Sequence, residues 1–249
     1  MLLAPSTRNA GLLGLLMAVT LPATTIQLVS VEGFIHFGGG SAPQASFNTS
    51  SPGFVSSLDA GNLGSFRFSW TNTTGAAIAN LTFTLFIDPD IDRDDNTFFN
   101  EYGEFVSALL PVFAPSGAIG FEQWEIDEPE YVFGNIYTNA NLGALDNATG
   151  VPASSPEDVS HALLFRIPSL AAGQTVNIFG TLSLTDAAGL GHFDPDSNAS
   201  LYVNGYATLD AAPGGGGGGG SEVPEPSSLA LLGFAAGLVA LRRQQGARA

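Results

Sequence analysis

Residues 81–87 have the sequence Leu-Thr-Phe-Thr-Leu-Phe-Ile, in which every second residue from Leu81 to Ile87 is large and apolar. Successive side chains of a β-strand point to opposite faces, so this alternation predicts a strand with one buried face. The same period recurs in further stretches, which contain Phe66, Phe68 and Trp70; Trp124 and Ile126; Val176 and Ile178; and Leu201 and Val203. Strands of this kind therefore dominate the middle of the chain.

Turn-forming residues separate these stretches at 72–75, 115–117, 146–150 and 171–173. We count about eight or nine short strands, and no long helical pattern outside the two ends. Many short strands with frequent turns are typical of an antiparallel sandwich or barrel. The sequence therefore predicts an all-β fold, a single antiparallel β-sandwich of immunoglobulin-like or jelly-roll-like type, over residues 26–212.

One turn has a counterpart in known folds. Residues 71–75 have the sequence Thr-Asn-Thr-Thr-Gly between two strands, and a Pro-Ser-Leu-Ala-Ala-Gly-Gln step follows at 168–174. This combination resembles bacterial immunoglobulin-like modules. The resemblance rests on turn chemistry, so it implies a fold and nothing about function.

Composition excludes several classes of function. The 249-residue chain has 18 Phe and 45% apolar residues, which is enough for a packed core. Its 23 acidic residues outnumber 7 Arg, Lys is absent, and the net charge is −16, so nucleic acid is not an expected partner. The absence of Cys removes disulfides, thiolate metal sites and cysteine nucleophiles.

The N-terminal segment has the pattern of an export signal. Arg8 supplies a positive charge, Ala10 to Leu21 form an apolar run, and small residues follow at 22–25. This order predicts a secretory signal peptide over residues 1–25.

The C-terminal segment begins with a glycine-rich linker at 213–222, in which Gly214 to Gly220 are consecutive. Val223-Pro224-Glu225-Pro226 follows, then an apolar stretch at 229–241, then Arg242-Arg243. The apolar stretch predicts a short transmembrane helix, and the positive-inside rule keeps the arginine pair in the cytoplasm.

Residues 223–249 resemble the PEP-CTERM sorting signal of exopolysaccharide-producing Gram-negative bacteria. The matching features are Val223, Pro224, Glu225, Pro226, the apolar helix 229–241 and the basic residues Arg242 and Arg243. The resemblance implies transient anchoring in the inner membrane, processing by an exosortase near the Pro-Glu-Pro motif, and delivery to the cell surface or the extracellular space. The alternative, an ordinary single-span anchor, leaves the topology unchanged.

The densest group of carboxylates lies between residues 88 and 101. Asp90, Asp92, Asp94, Asn96 and Glu101 occupy positions 1, 3, 5, 7 and 12 of a loop, which is the ligand spacing of an EF-hand, so we predict a calcium site there. Position 6 is Asp95, where an EF-hand requires Gly, and a strand enters the loop. The alternative is a solvated acidic turn. A weaker version of the pattern occurs at 194–198, where Gly205 takes position 12.

Two other polar groups bear on catalysis. Glu122, Glu125, Asp127, Glu128 and Glu130 surround Trp124, and paired carboxylates beside aromatic rings occur in glycoside hydrolases. Alternation, however, predicts that Glu125 and Asp127 face solvent while Trp124 faces the core. His36, His161 and His192 are far apart in the sequence and lack metalloprotease spacing, so we expect surface or strand-packing roles for them.

We therefore expect an exported structural protein of the cell surface or the exopolysaccharide matrix, not an enzyme. Calcium is its candidate cofactor, and an extracellular polysaccharide is a candidate partner beside the exosortase. The alternatives are a secreted carbohydrate-binding module and a carbohydrate-active enzyme.

Overall fold

The structure, a computed structural model, describes residues 24–92 and 97–212. Eleven strands, one short helix and one 3-10 turn form within these residues. The strands are β1 (Ile26–His36), β2 (Ala45–Asn48), β3 (Val55–Leu58), β4 (Gly64–Thr71), β5 (Ile78–Ile91), β6 (Tyr102–Ser107), β7 (Gln123–Asp127), β8 (Ser160–Leu170), β9 (Thr175–Ser183), β10 (Gly189–Asp194) and β11 (Ala199–Leu209). The 3-10 turn covers Phe98–Asn100, and the helix α1 covers Ile136–Leu142.

Two antiparallel sheets pack against each other, which confirms the predicted all-β sandwich. The five-stranded sheet has the order β2-β1-β5-β8-β7, and the six-stranded sheet has the order β3-β4-β9-β11-β10-β6. The strand that contains residues 81–87 is β5, 14 residues long, with β1 on one side and β8 on the other. This central position explains why almost all of β5 is buried.

The main core lies between the sheets and follows the predicted alternation. Leu81, Phe83, Leu85 and Ile87 of β5 belong to one buried cluster. The same cluster holds side chains of the six-stranded sheet, among them Phe66, Phe68, Val176, Ile178, Leu201 and Val203. Burial of this many large side chains is the principal stabilising contribution of the fold, at about 1.5–3 kcal/mol for each.

The outer face of the five-stranded sheet carries a second, smaller core that the alternation did not predict. Phe86 of β5 packs there with Ile136 and Ala140 of α1. The helix ends at Gly143, whose φ of 66° lets its backbone N–H bond to the carbonyl of Ala140. A seven-residue helix is marginal by itself, so packing on the sheet must stabilise α1.

The terminal predictions fall largely outside the described residues. These are the apolar part of the signal peptide, the glycine-rich linker, the helix 229–241 and the sorting residues around Val223–Pro226 and Arg242–Arg243. Within 24–92 and 97–212, none of the helical segments has the length and apolarity needed to cross a bilayer. Thr25, the last residue of the predicted signal peptide, exchanges backbone hydrogen bonds with Asp92.

Candidate functional site

Three carboxylates meet at one end of the sandwich, where β5 finishes and β8 starts. Asp88 and Asp90 belong to the last turns of β5, and Asp158 precedes β8. One carboxylate oxygen of each lies within 4.8 Å of the other two. Asp88 is 1% exposed and Asp90 is 2% exposed, so two of the three carboxylates have little contact with water. We call Asp88, Asp90 and Asp158 the acidic cluster.

The strand register brings these residues together. Ile87 pairs with His161 across the β5–β8 ladder, which places the following Asp88 near Ser160. The Ser160 hydroxyl donates to Asp88 Oδ1 at 2.6 Å, and the Tyr131 hydroxyl donates to Asp88 Oδ2 at 3.2 Å. Asp158, two residues before Ser160, is carried to the same end of the sheet. The two bonds hold the Asp88 carboxylate in one orientation.

Burial and mutual repulsion disfavour the charged forms of the acidic cluster. Burial raises the pKa of Asp88 to about 6, while the Ser160 hydrogen bond partly opposes the change. Burial raises the pKa of Asp158 to about 7, and the negative charges of Asp88 and Asp90 add to it. Oδ1 of Asp158 is buried and accepts no hydrogen bond from any described residue. A bound cation would reverse both effects, because it favours the charged carboxylates.

A buried ion pair lies beside the acidic cluster. Glu101 is wholly buried, and its Oε2 is 2.5 Å from Nε2 of the buried His192. Its other oxygen accepts from the backbone N–H of Ile91 at 3.0 Å. Burial raises the pKa of Glu101, and the nearby His192 opposes that change. Glu101 therefore joins the six-stranded sheet to the end of β5.

Two of the three histidines, distant in the sequence, are neighbours in the fold. The ring centroids of His161 and His192 are 5.3 Å apart, and both side chains are wholly buried. Burial lowers the pKa of His161 well below its usual value, so its ring is neutral at physiological pH. The expectation of a strand-packing role fits both residues, but their proximity needed the strand pairing between and within the sheets.

The predicted calcium ligands divide into three groups. Asp90 lies in the acidic cluster, whereas Glu101 faces His192. Asp92 accepts hydrogen bonds from the backbone N–H of Thr25 at 2.5 Å and from its hydroxyl at 3.1 Å. Asp94 and Asn96 lie outside the described residues. The EF-hand-like ligand set therefore stays a prediction, and the described geometry adds Asp88 and Asp158 to Asp90.

The second group of carboxylates differs from expectation at Glu125. Trp124 and Glu125 do point to opposite faces of β7, and Trp124 stacks on Phe105 with ring centroids 4.8 Å apart. The prediction that Glu125 faces solvent was wrong, because α1 covers that face and leaves the side chain 2% exposed. The Asn139 amide of α1 donates to both Glu125 oxygens, at 2.9 and 3.1 Å. Burial raises the pKa of Glu125 to about 7.

The neighbouring acidic residues hold the loop before α1. Asp127 accepts from the backbone N–H of Asn135 at 3.0 Å. Glu130 accepts from the backbone N–H and the hydroxyl of Thr138, both at 2.6 Å. Glu122 forms an exposed ion pair with Arg166 at 2.7 Å. Each of these carboxylates thus has a partner within the fold.

Comparison with known proteins identifies the class of this exported β-sandwich by its tail. The PEP-CTERM protein-sorting motif matches residues 222–244, the region predicted from Val223–Pro226 and Arg242–Arg243. The chain carries this motif, and it is accordingly an exported, membrane-anchored precursor that exosortase processes. No curated protein and no solved structure matches the chain. The immunoglobulin-like resemblance therefore stays a prediction.

Proposed function

We propose that the mature protein is a non-enzymatic structural component of the cell surface or the exopolysaccharide matrix, and that calcium stiffens its β-sandwich at the acidic cluster. The observation that supports this proposal is the convergence of Asp88, Asp90 and Asp158 within 4.8 Å. Buried like charges destabilise a fold, and an ion that binds only the folded state stabilises it. Three carboxylates with no sulfur ligand form an oxygen donor set, which suits calcium.

The use of the remaining carboxylates supports a structural role. Glu125, Asp127 and Glu130 all bond to α1 or to the loop before it. A glycosidase needs two carboxylates free to flank a sugar bond, about 5–10 Å apart. Carboxylates that hold a helix in place contribute to stability and are poorly placed for proton transfer to a substrate.

Thermal unfolding of the exported protein with calcium, and then with a chelator, tests the calcium proposal. Calcium at about 100 times its Kd should raise Tm by roughly 5–10 °C in a domain of this size. Asp90→Asn and Asp158→Asn should abolish the increase, whereas Asp196→Asn, an exposed aspartate in a turn, should retain it. An unchanged Tm in millimolar calcium, or an increase that both cluster variants keep, would show that the cluster is not a calcium site.

The sorting step has a separate test. Replacing Pro224 and Pro226 by Ala should leave the precursor unprocessed and retained in the membrane, because the Pro-Glu-Pro motif is the feature by which exosortase is expected to select its substrates. The measurement is the size and cell fraction of the protein in a strain that contains the exosortase. Normal processing of the double variant would contradict this role of the motif.

A carbohydrate-binding role is the second candidate, and the outer face of the six-stranded sheet favours it. Half-buried aromatic rings cross this face on neighbouring strands: Tyr102 and Phe193 stack with centroids 5.0 Å apart, and Phe179 stacks on Tyr206 at 4.6 Å. Aromatic rings are common contacts for the apolar faces of sugars. Phe193→Ala and Tyr202→Ala should weaken retention on the extracted exopolysaccharide if this face binds it, and retention equal to that of the unaltered protein would reject the idea.

A further inference from the structure

A cleft of about 350 Å³ opens on the outer face of the five-stranded sheet, beside α1. Its aromatic walls are Phe86, Tyr131 and Tyr137, and Glu32 and Glu130 supply two carboxylates. The volume is at the small end of the range for ligand pockets. The cleft is distinct from the acidic cluster, although Tyr131 touches both through its bond to Asp88.

Packing and hydrogen bonds fix the two tyrosine rings. Tyr137 meets the edges of Phe34 and Phe86 at centroid distances of 5.8 and 5.3 Å, and its hydroxyl donates to Glu32 at 3.0 Å. Tyr131 is 67% exposed, yet its hydroxyl is tied to Asp88. The face of an aromatic ring is electron-rich and attracts a cation that lies over it. The cleft is therefore built before a ligand arrives.

The charges around the cleft have one sign. Glu32 accepts from Ser30 and Tyr137, and Glu130 accepts from Thr138, so neutral donors hold both carboxylates. Arg67 and Arg166, the two arginines among the described residues, are absent from its lining, and Arg166 pairs with Glu122. Burial, followed by the negative charges of Asp88, Asp158 and Glu32, raises the pKa of Tyr131 to about 12, which is consistent with a negative potential.

We propose that this cleft binds an alkylammonium group, with its charge between Glu32 and Glu130 and its carbon chain against Tyr131 and Tyr137. Aromatic walls with carboxylates suit an organic cation, because cation–π attraction and ion pairing act together on it. A small, strongly hydrated metal ion instead requires several oxygen ligands around it. The proposal does not depend on calcium binding at the acidic cluster.

Two sources present this chemistry, a lysine side chain of a partner protein and the free amine of an amino sugar. Nα-acetyl-lysine methylamide represents the first source, and methyl glucosaminide represents the second. Their neutral counterparts, Nα-acetyl-norleucine methylamide and methyl glucoside, have the same carbon framework without the charge. Comparison of each amine with its counterpart isolates the contribution of the ammonium group.

The test is an NMR titration of the exported protein, labelled at its tyrosines, in a chelator. At least one amine should shift the Tyr131 and Tyr137 resonances and bind at least about five-fold more tightly than its neutral counterpart. Glu32→Gln should remove most of that preference, and the folded state should persist because the Gln amide oxygen still accepts from Tyr137. The control, Glu122→Gln, removes an exposed carboxylate elsewhere and should change nothing.

The amine that binds identifies the source of the ligand. The proposal is overturned if neither amine binds, if the neutral compounds bind equally well, or if Glu32→Gln binds as tightly as the unaltered protein. A preference lost equally in Glu122→Gln would also overturn it, because the attraction would then come from the net charge of the domain.

Discussion

The tripeptide Asp-Pro-Asp occurs twice in this chain, at 88–90 and 194–196, with opposite outcomes. The first copy lies inside β5, which has a strand on each side, and Asp88 and Asp90 are buried. The second copy lies where β10 turns into β11, and Asp196 is exposed. The difference shows that the number of neighbouring strands, not the local sequence, decides whether carboxylates gather into a cluster.

The hydrogen bonds of the two copies differ in the same way. Asp194 accepts from the backbone N–H of Asp196 at 2.8 Å and from the Ser197 hydroxyl at 2.5 Å, so it organises its own turn. Asp88 accepts instead from Ser160 and Tyr131, which are distant in the sequence. The first pattern is local and solvated, whereas the second joins three segments of the fold.

The largest expected contrast concerns the residue after each tripeptide. Ile91 is wholly buried in the main core, so Ile91→Ala should lower the free energy of unfolding by about 2–5 kcal/mol. Ser197 is exposed, and Ser197→Ala should cost less than about 1 kcal/mol. Urea unfolding of both variants measures the difference. Equal losses would mean that the two copies do not differ in burial as described.

Glu125 extends the comparison to a carboxylate that is buried without the acidic cluster. Its pKa is raised to about 7 in the fold, above the usual 4.5 of a free Glu, so the folded protein holds the proton more tightly than the unfolded chain does. Its contribution to stability is full below about pH 4.5 and is lost as the pH rises through 7. Glu125→Gln should therefore stabilise the protein at pH 8 by roughly 2–3 kcal/mol.

The control for this pH dependence is Glu122→Gln, which alters an exposed carboxylate near the same strand. The measurement is the free energy of unfolding from pH 4 to pH 8 in a chelator, compared between each variant and the unaltered protein. Other buried carboxylates titrate in the same window, and the comparison cancels their contribution. A Glu125→Gln profile parallel to that of the unaltered protein would contradict the predicted burial effect.

Local pattern predicted those features that depend on neighbouring residues in the chain. The alternation at 81–87 correctly placed Leu81 and Phe83 between the sheets, and the residues from Val223 to Arg243 correctly predicted the sorting motif. Both depend on periodicity or spacing within one segment. The sandwich architecture follows from such segments, because strands with one apolar face must pair and cover that face.

Long-range pairing placed the features that the sequence did not predict. Asp158 joins Asp88 only because β5 and β8 pair, and His161 meets His192 only because their strands pack. The helix α1 has a weak propensity, with two Asn among its seven residues, and carboxylates from the preceding loop cap it. Spacing within a single loop could therefore suggest a calcium site but could not include residue 158.

A matched pair of serines tests the hydrogen bonds of the two tripeptides. Ser160 donates to the buried Asp88 at 2.6 Å, and Ser197 donates to Asp194 at 2.5 Å in the exposed turn. Ser160→Ala should cost about 1–2 kcal/mol, because the buried carboxylate loses a donor that water cannot replace. Ser197→Ala should cost less, because water can take its place. Chemical unfolding at pH 8 compares the two, and a larger loss for Ser197→Ala would reverse the argument.

The smallest expected effect is in the backbone of the second turn. Asn198 has a φ of 55°, in the left-handed region that Asn and Gly adopt more easily than Ala. Asn198→Ala should therefore cost about 1 kcal/mol, and Asn198→Gly should change stability by less than about half of that. Thermal unfolding of the two variants separates backbone strain from loss of the side chain. If both variants lost as much stability as Ser160→Ala, the second turn would depend on the Asn198 side chain, and burial alone would not explain why the two tripeptides differ.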